Sequence, residues 1–453
     1  MFQRRRLMAG AAGLCAIVLV APAGLRAGDS GGSPSAKPLT SPPVAASPHV
    51  GADVSLTGRL SEVDGVPLLV LWGTQYERGF THGYLLAEKI VGLFDGYLRE
   101  TVRGAEAIEN FETTARRHLK AMNFAPRYLD ELRGMHAGVV RRLGDAARIE
   151  TLDRQIALDD LVAVACIPEL ARIGCSSFAA WGPLTADGHT ISGRNLDWHR
   201  LNALQSGQMV VAYAPGPEDG RLGWLSVTWP GYIGCLTGMN SEGVTVAMHD
   251  VFAGPPTAPL GFTPRGFALR DAVETAHAAT AGKDVLAVLR GRIAAVGNNV
   301  PISFPYRGGN KESAVVFEYD GDLTNGVGVT VRRAQRSGSA GDATAYLPCT
   351  NHYRKRASAE SCDRYEKIDR RMKEIARSGQ LMTVADGWDI LRMVACRSGP
   401  RERIQTYHSV VFEPNFGRMH AAFSTPDRAA PENKPVTFDV RSILDGAPPA
   451  PAP

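Results

Sequence analysis

Apolar residues follow two different rhythms along this chain. From about Gly65 to Glu169, one unbroken apolar run is followed by recurrences every three or four positions. The run at 66–71 reads as a buried strand. Leu85, Leu86, Ile90, Leu93, Phe94 and Leu98 then share one helix face, and the same spacing predicts helices over 107–122, 126–143 and 157–170. From Cys175 onward the rhythm shortens to alternation. It predicts a hairpin that runs out along 176–182, turns at Ala186-Asp187-Gly188 and returns along 189–198. Further strands are predicted at 208–214, 222–229, 232–239, 243–250, 313–320 and 327–334, with a closing pair at 406–414 and 418–424. Helices at 265–280 and 282–295, and again at 360–377 and 383–396, interrupt the series.

Strands, two helices, strands, two helices, strands is an order that suits an α+β fold: a four-layer α/β/β/α sandwich of two stacked antiparallel sheets with helices outside. The helical front piece is expected to wrap this same core. The alternative is a helical domain joined to a separate β domain.

Composition narrows the picture at the ends. The chain has 453 residues, 44% hydrophobic and 21% charged, with a formal net charge of +4 that is not gathered into one run, so charge gives nucleic-acid binding no support. Arg4, Arg5 and Arg6, the apolar stretch 7–20 and Leu25-Arg26-Ala27 read as an export signal over 1–27, of general-secretion or twin-arginine type. A bulky Leu14 before Cys15 argues against lipid anchoring. Residues 28–50, rich in Ser, Pro, Gly and Ala, read as a disordered linker, and 441–453 as a disordered tail. No other apolar stretch is long enough to span a bilayer, so no stable membrane insertion is expected after signal removal, and the location expected is periplasmic or secreted. Seven cysteines include no Cys-x-x-Cys pair and no zinc spacing. Six remain after the signal. They allow three disulfides, or two if one thiol is chemically active.

One constellation carries chemistry. Cys175 stands at the junction of the two rhythms, after Gly174, and Arg194-Asn195-Leu196-Asp197 lies on the returning strand of the predicted hairpin. That strand brings Arg194 and Asp197 back beside Cys175. A guanidinium near a thiol favours the thiolate, and a carboxylate can orient an amine. Glycine before the cysteine leaves its carbonyl open to attack. His-Glu-x-x-His, Gly-x-Ser-x-Gly and phosphate-loop signatures are absent, and no metal or organic cofactor is required.

The run 174–198 resembles the nucleophile hairpin of cysteine N-terminal-nucleophile (Ntn) hydrolases, and is most similar to the penicillin acyltransferase-like group, with choloylglycine hydrolase and acid ceramidase as more distant relatives. Three more segments agree in order: 73–90, with its Gly-x-x-Tyr-Glu-x-Gly-x-x-x-Gly pattern; 238–250, with Asn240; and Cys349-Thr350-Asn351-His352-Tyr353. The resemblance covers about 60–425. It implies self-cleavage between Gly174 and Cys175 into a small chain (51–174) and a nucleophile chain (175–440) that stay associated. It implies that the freed α-amine of Cys175 is the base for its own thiol. It further implies that Asp197 orients the amine, Arg194 supports the thiolate, Asn240 stabilises the oxyanion, and Asn351 holds the amine or the substrate carbonyl. The substrates implied are small N-acyl compounds with a linear amide bond. The alternatives are an Ntn-fold ester or phospholipid acyl hydrolase, or an inactive binding protein.

Other residues take structural readings. His199, His249 and His352 read as satisfied histidines, and Cys235, Cys349, Cys362 and Cys396 as core or disulfide cysteines. The basic residues over 354–377 read as a solvated helix face. A late pocket arginine of choloylglycine hydrolases has only Arg401 and Arg403 as candidates.

Overall fold

The computed structural model describes residues 55–447 apart from 124, 171–173, 252–259, 310, 322–327, 335, 338–341, 344 and 398–401. The expected export signal, the linker and residues 448–453 lie outside the described residues.

The front piece forms β1 (Gly58–Val63), β2 (Val66–Leu71), α1 (Gln75–Leu85), α2 (Ala87–Thr101), α3 (Ala105–Ala121) and α4 (Pro126–Leu143). A small hairpin, β3 (Arg148–Ile149) and β4 (Arg154–Gln155), leads to α5 (Leu158–Ala165) and α6 (Ile167–Leu170). Then come β5 (Gly174–Ala180), β6 (Ile191–His199), α7 (Asn202–Ser206), β7 (Met209–Tyr213), β8 (Trp224–Thr228), β9 (Thr237–Asn240), β10 (Thr245–Ala247) and β11 (His249–Val251). After α8 (Arg265–Thr275) and α9 (Ala281–Arg290) follow β12 (Gly297–Ser303), β13 (Ala314–Tyr319), β14 (Val329–Arg332), β15 (Arg336–Ser337), β16 (Asp342–Ala343) and β17 (Tyr346–Cys349). The chain closes with α10 (Asp363–Ser378), α11 (Val384–Val394), β18 (Ile404–Glu413), β19 (Arg418–Phe423), β20 (Val436–Asp439) and α12 (Val440–Asp445).

Two sheets stack at the centre. The ten-stranded sheet runs β1-β2-β7-β8-β9-β10-β12-β13-β14, with β11 also paired to β12, and the six-stranded sheet runs β17-β5-β6-β18-β19-β20. Their facing sides interlock through Val70, Val210, Leu225 and Val227 against Val410, Phe412, Met419 and Phe438. The outer side of the six-stranded sheet packs Phe178, Ile191 and Val411 on Ile368 and Met372 of α10 and Trp388 and Leu391 of α11. The outer side of the ten-stranded sheet packs on α2, α4, α8 and α9 through Phe94, Met135, Leu269 and Val285. The result is the four-layer α/β/β/α sandwich, and the front piece belongs to it.

Several details differ from the sequence expectation, which also lacked the strands β1, β12, β17 and β20. The ten-stranded sheet is not wholly antiparallel, because β2 runs parallel to β7. The apolar stripe behind β2 forms two helices, broken at Leu86 (φ −118°, ψ 19°). The connection between β5 and β6 is a loop from Trp181 to Thr190 containing a 3-10 turn at Gly182–Leu184, not a tight turn confined to Ala186-Asp187-Gly188. Residues 441–445 are helical, not a disordered tail: Val440, Ile443 and Leu444 pack into the inter-sheet core, and that apolar burial orders the segment.

The glycines of the 73–90 segment have a packing cause. A Cβ at Gly79 would lie 1.8 Å from the Glu131 carbonyl oxygen and one at Gly83 2.1 Å from that of Met135. Gly134 and Gly138 of α4 meet Tyr76 and Phe80 of α1 equally closely. The two backbones touch, and no side chain fits between them.

Candidate active site

Register fixes the centre of the site. On β5 and β6, Cys175 faces Leu196, Ser177 faces Arg194, and Gly174 faces Asp197. Alternation therefore puts Cys175, Ser177, Arg194 and Leu196 on one face, and Gly174 and Asp197 on the other. The approach at Gly174 is close: a Cβ there would sit 3.1 Å from the Asp197 Cβ. On the other flank of β5, the last paired residue of β17 is Cys349, opposite Ser177. Beyond that point a side chain replaces the ladder, and the Cys175 N–H donates to Asn351 Oδ1 at 2.8 Å.

The sulfur lies in a dense polar nest. Arg194 Nη2 donates to Cys175 Sγ at 3.1 Å and to the Met248 carbonyl at 2.9 Å, and the thiol is 3.1 Å from that same carbonyl. Arg194 Nη1 bonds Thr237 Oγ1 and lies 2.8 Å from His408 Nε2. Asp197 accepts from Thr406 Oγ1 at 2.5 Å and from Arg364 Nη1 at 2.8 Å. Arg364 also donates to the Cys175 carbonyl at 2.9 Å and to Asn351 Oδ1 at 2.8 Å, while Asn351 Nδ2 donates to the Asp250 carbonyl at 2.7 Å.

Burial and charge oppose each other here. Cys175 is fully buried, and burial pushes its thiol up to about 11, with Asp197 and Asp250 adding to the rise and Arg194 and Arg364 working against it. Among the described residues no carboxylate lies within salt-bridge distance of Arg194, which is 1% exposed. A buried guanidinium without an anion is costly, and the polar contacts that offset this cost at Arg194 are the Cys175 sulfur, the Met248 carbonyl, Thr237 and His408.

Of the residues expected at the site, the structure brings together Gly174, Cys175, Arg194, Asp197 and Asn351. It does not bring Asn240 there. Asn240 Nδ2 donates to the carbonyls of Val273 (2.9 Å) and Ala276 (2.8 Å), and its Oδ1 accepts from the N–H groups of Glu242 and Val244. Both donors and both acceptor positions are consumed in tying the β9–β10 turn to the end of α8, so the oxyanion role is withdrawn. Four further residues touch the centre that sequence reasoning left aside: Arg364, assigned to a solvated helix face, and Thr237, Thr406 and His408, assigned no role. Arg401 lies outside the described residues, and none of the hydrogen bonds that reach Cys175 or Asp197 comes from Arg403. None of the bonds at Cys175 involves His199, His249 or His352. The six described cysteines are all free thiols.

An apolar cavity lies along the same sheet face, beyond Leu196. Its walls include Phe94, Tyr97 and Ile167 from before Gly174, and Trp198, Trp229 and Leu236 from after it. Trp198 stands two positions from Leu196 on the face that carries Cys175, hence about 7 Å further along the strand.

Comparison with known families assigns the chain to one of them. The family model for acyl-coenzyme A:6-aminopenicillanic acid acyl-transferase matches residues 184–428, more than half of the chain. The chain belongs to the acyl-coenzyme A:6-aminopenicillanic acid acyl-transferase family. Within known proteins, protein dcd1B of Dictyostelium discoideum is 29% identical over 199 residues, which is 39% of this chain and 36% of that one. An uncharacterized protein of Archaeoglobus fulgidus is 22% identical over 202 residues, 42% of this chain and 33% of that one. The chain thus spans about a third of the length of these relatives. Among solved structures, a Caenorhabditis elegans N-acylethanolamine-hydrolyzing acid amidase ortholog aligns at 19% identity over 53% of this chain and 93% of its own, with a TM-score of 0.38. A conjugated bile acid hydrolase from Clostridium perfringens (11% identity, 60% and 94%, TM-score 0.39) and penicillin V acylase from Agrobacterium tumefaciens (12%, 55% and 83%, TM-score 0.37) align similarly.

Proposed function

We propose that this protein is an exported, self-cleaving amidohydrolase or acyltransferase whose nucleophile is Cys175, and that it acts on N-acyl compounds with an apolar acyl group. The observation that carries the reading is the pair of contacts at one residue. The Cys175 sulfur meets Arg194, and the Cys175 nitrogen meets Asn351, which Arg364 links to Asp197. That nitrogen is the atom that self-cleavage would turn into an amine.

In the precursor, the Cys175 sulfur attacks the Gly174 carbonyl, the acyl group shifts from nitrogen to sulfur, and water splits the thioester. An amine with an ordinary pKa near 8 now sits on the nucleophile itself and takes the thiol proton. The resulting thiolate is held by Arg194. It attacks the substrate carbonyl, and the ammonium returns its proton to the leaving amine. Asn351 Oδ1 accepts from the amine and keeps its lone pair aimed at the sulfur, while Asp197 and Arg364 hold that end of the site rigid. The apolar cavity takes the acyl group, and water or a second amine or thiol accepts it. The basic, apolar start of the chain supports export to the periplasm or beyond.

Intact-mass analysis of the purified protein tests this. The expected result is two chains that co-elute, the larger beginning at Cys175. Cys175→Ala is expected to stay uncut and inactive. Processing of that variant at the same bond would refute self-cleavage.

A further inference from the structure

Arg194 is held by a neutral group where a buried guanidinium ordinarily meets a carboxylate. Its Nη1 faces His408 Nε2 at 2.8 Å, and Thr237 Oγ1 lies 2.8 Å from the same nitrogen. A guanidinium offers only donors, so this nitrogen is the acceptor and the imidazole proton sits on Nδ1. Burial, helped by the Arg194 charge, holds the imidazole well below its ordinary pKa, which keeps it neutral. The ring is 1% exposed and lies 5.7 Å from the Trp229 ring, a wall of the apolar cavity.

The backbone shows how His408 comes to be there. Thr406 pairs with Asp197 and His408 with Leu196, so the register shifts between them and Tyr407 is an inserted residue. Without this bulge, residues two apart on β18 would share a face. With it, Thr406 reaches the Asp197 face and His408 reaches the Arg194 face. One irregularity thus supplies both polar partners.

We propose that His408 is the positioning residue for Arg194: it fixes the guanidinium against the Cys175 sulfur without neutralising it, so that the thiolate receives the whole of the charge. A carboxylate in that place would orient Arg194 equally well but would compete with the sulfur for it. This inference rests on Cys175 being the nucleophile.

The test compares His408→Gln with His408→Glu, similar in length and different in charge. The readouts are the pH profile of Cys175 alkylation by iodoacetamide, followed on the Cys175 peptide by mass spectrometry, together with kcat/KM on a chromogenic N-acyl amide and the melting temperature. Glutamine presents a neutral acceptor to Nη1 and is expected to keep the alkylation midpoint within about half a pH unit of wild type. Glutamate is expected to raise that midpoint by at least about one unit and to cut neutral-pH kcat/KM by about tenfold or more, with no fall in melting temperature. An unshifted midpoint in the glutamate variant overturns the proposal, as does an equal shift in both variants. Should the glutamate variant not fold, His408→Leu takes its place: it removes the acceptor, and an unchanged midpoint there also overturns the proposal. Wild-type turnover that survives Cys175→Ala sinks the underlying reading instead, whatever the His408 variants do.

Discussion

Asn240→Ala separates two roles that one sequence pattern had merged. In the structure the side chain makes four hydrogen bonds, two to carbonyls at the end of α8 and two from N–H groups of its own turn. Alanine leaves these groups without their partner, and Asn240, Val244 and Val273 are all fully buried. An unsatisfied buried polar group costs about 1–3 kcal/mol, and partial relaxation of the half-buried Glu242 side of the turn trims the sum, so a loss of about 2–4 kcal/mol is expected. An oxyanion donor would behave otherwise, its removal lowering kcat by roughly 10²–10³ with little effect on stability.

The assay is a urea unfolding curve beside kcat on a chromogenic N-acyl amide, measured on processed enzyme well below its melting temperature. The expected outcome is a lower midpoint with kcat within about threefold of wild type, since the turn lies outside the thiol nest. Asn240→Asp is expected to be at least as destabilising, because a carboxylate would face two carbonyl oxygens. A hundredfold fall in kcat with an unmoved unfolding midpoint would refute the structural role.

The other predictions follow the same geometry. Self-cleavage of freshly refolded precursor should accelerate about tenfold per pH unit from pH 7 to 10, because burial holds the Cys175 thiol up at about 11 and only its thiolate attacks; a flat profile on gels contradicts this. Turnover by the cut enzyme should instead level off near pH 8, where the new amine loses its proton. Arg364→Met removes the bonds to Asp197, Asn351 and the Cys175 carbonyl and should lower kcat/KM by at least about tenfold, with Arg364→Lys failing to restore it, since one ammonium cannot span three acceptors. His82 is held down at about 3 by burial and then by Arg270, so below its ordinary 6.5 the unfolded chain binds the proton first. Stability should therefore be full above pH 6.5 and fall towards pH 3 by about 1.4 kcal/mol per unit, and His82→Gln should flatten the part of that fall above pH 5 in urea titrations.

How far the sequence could be read depended on the range of the contacts. Cys175, Arg194 and Asp197 were legible because adjacent strands of one hairpin bring them together, and a turn misplaced by several residues did not alter that pairing. Asn351 was legible through its segment alone. Asn240 was misassigned because Asn before Ser-Glu-Gly is the residue wanted by a turn and by an oxyanion site alike, and local pattern does not say which end of the sheet a turn occupies. Arg364 was invisible for a different reason. It lies in the first turn of a helix crowded with Arg and Lys, and nothing in that crowding marks the one guanidinium that points inward. His408 was hidden by the bulge, since strict alternation sets it on the same face as Thr406.

The fold also bears on the proposed self-cleavage, because it shows what would hold the two pieces together. The residues before Gly174 are bound to those after it by the parallel pairing of β2 with β7 and by buried ion pairs: Arg270 with Glu131 at 2.8 Å, Arg265 with Glu169 at 3.2 Å, Arg78 with Asp219 at 3.0 Å. Both partners of the first two pairs have almost no exposed side chain. Separating the pieces would strand charges that cost about 3–5 kcal/mol each when a buried partner is removed. It would also open a cavity whose walls come from both sides of the cut. On the proposed reading, cleavage therefore changes the protonation chemistry at one nitrogen and leaves the packing that aims it in place. On that same proposal, the buried pairs across the seam would hold the two walls of the apolar cavity together once the covalent link between them is gone.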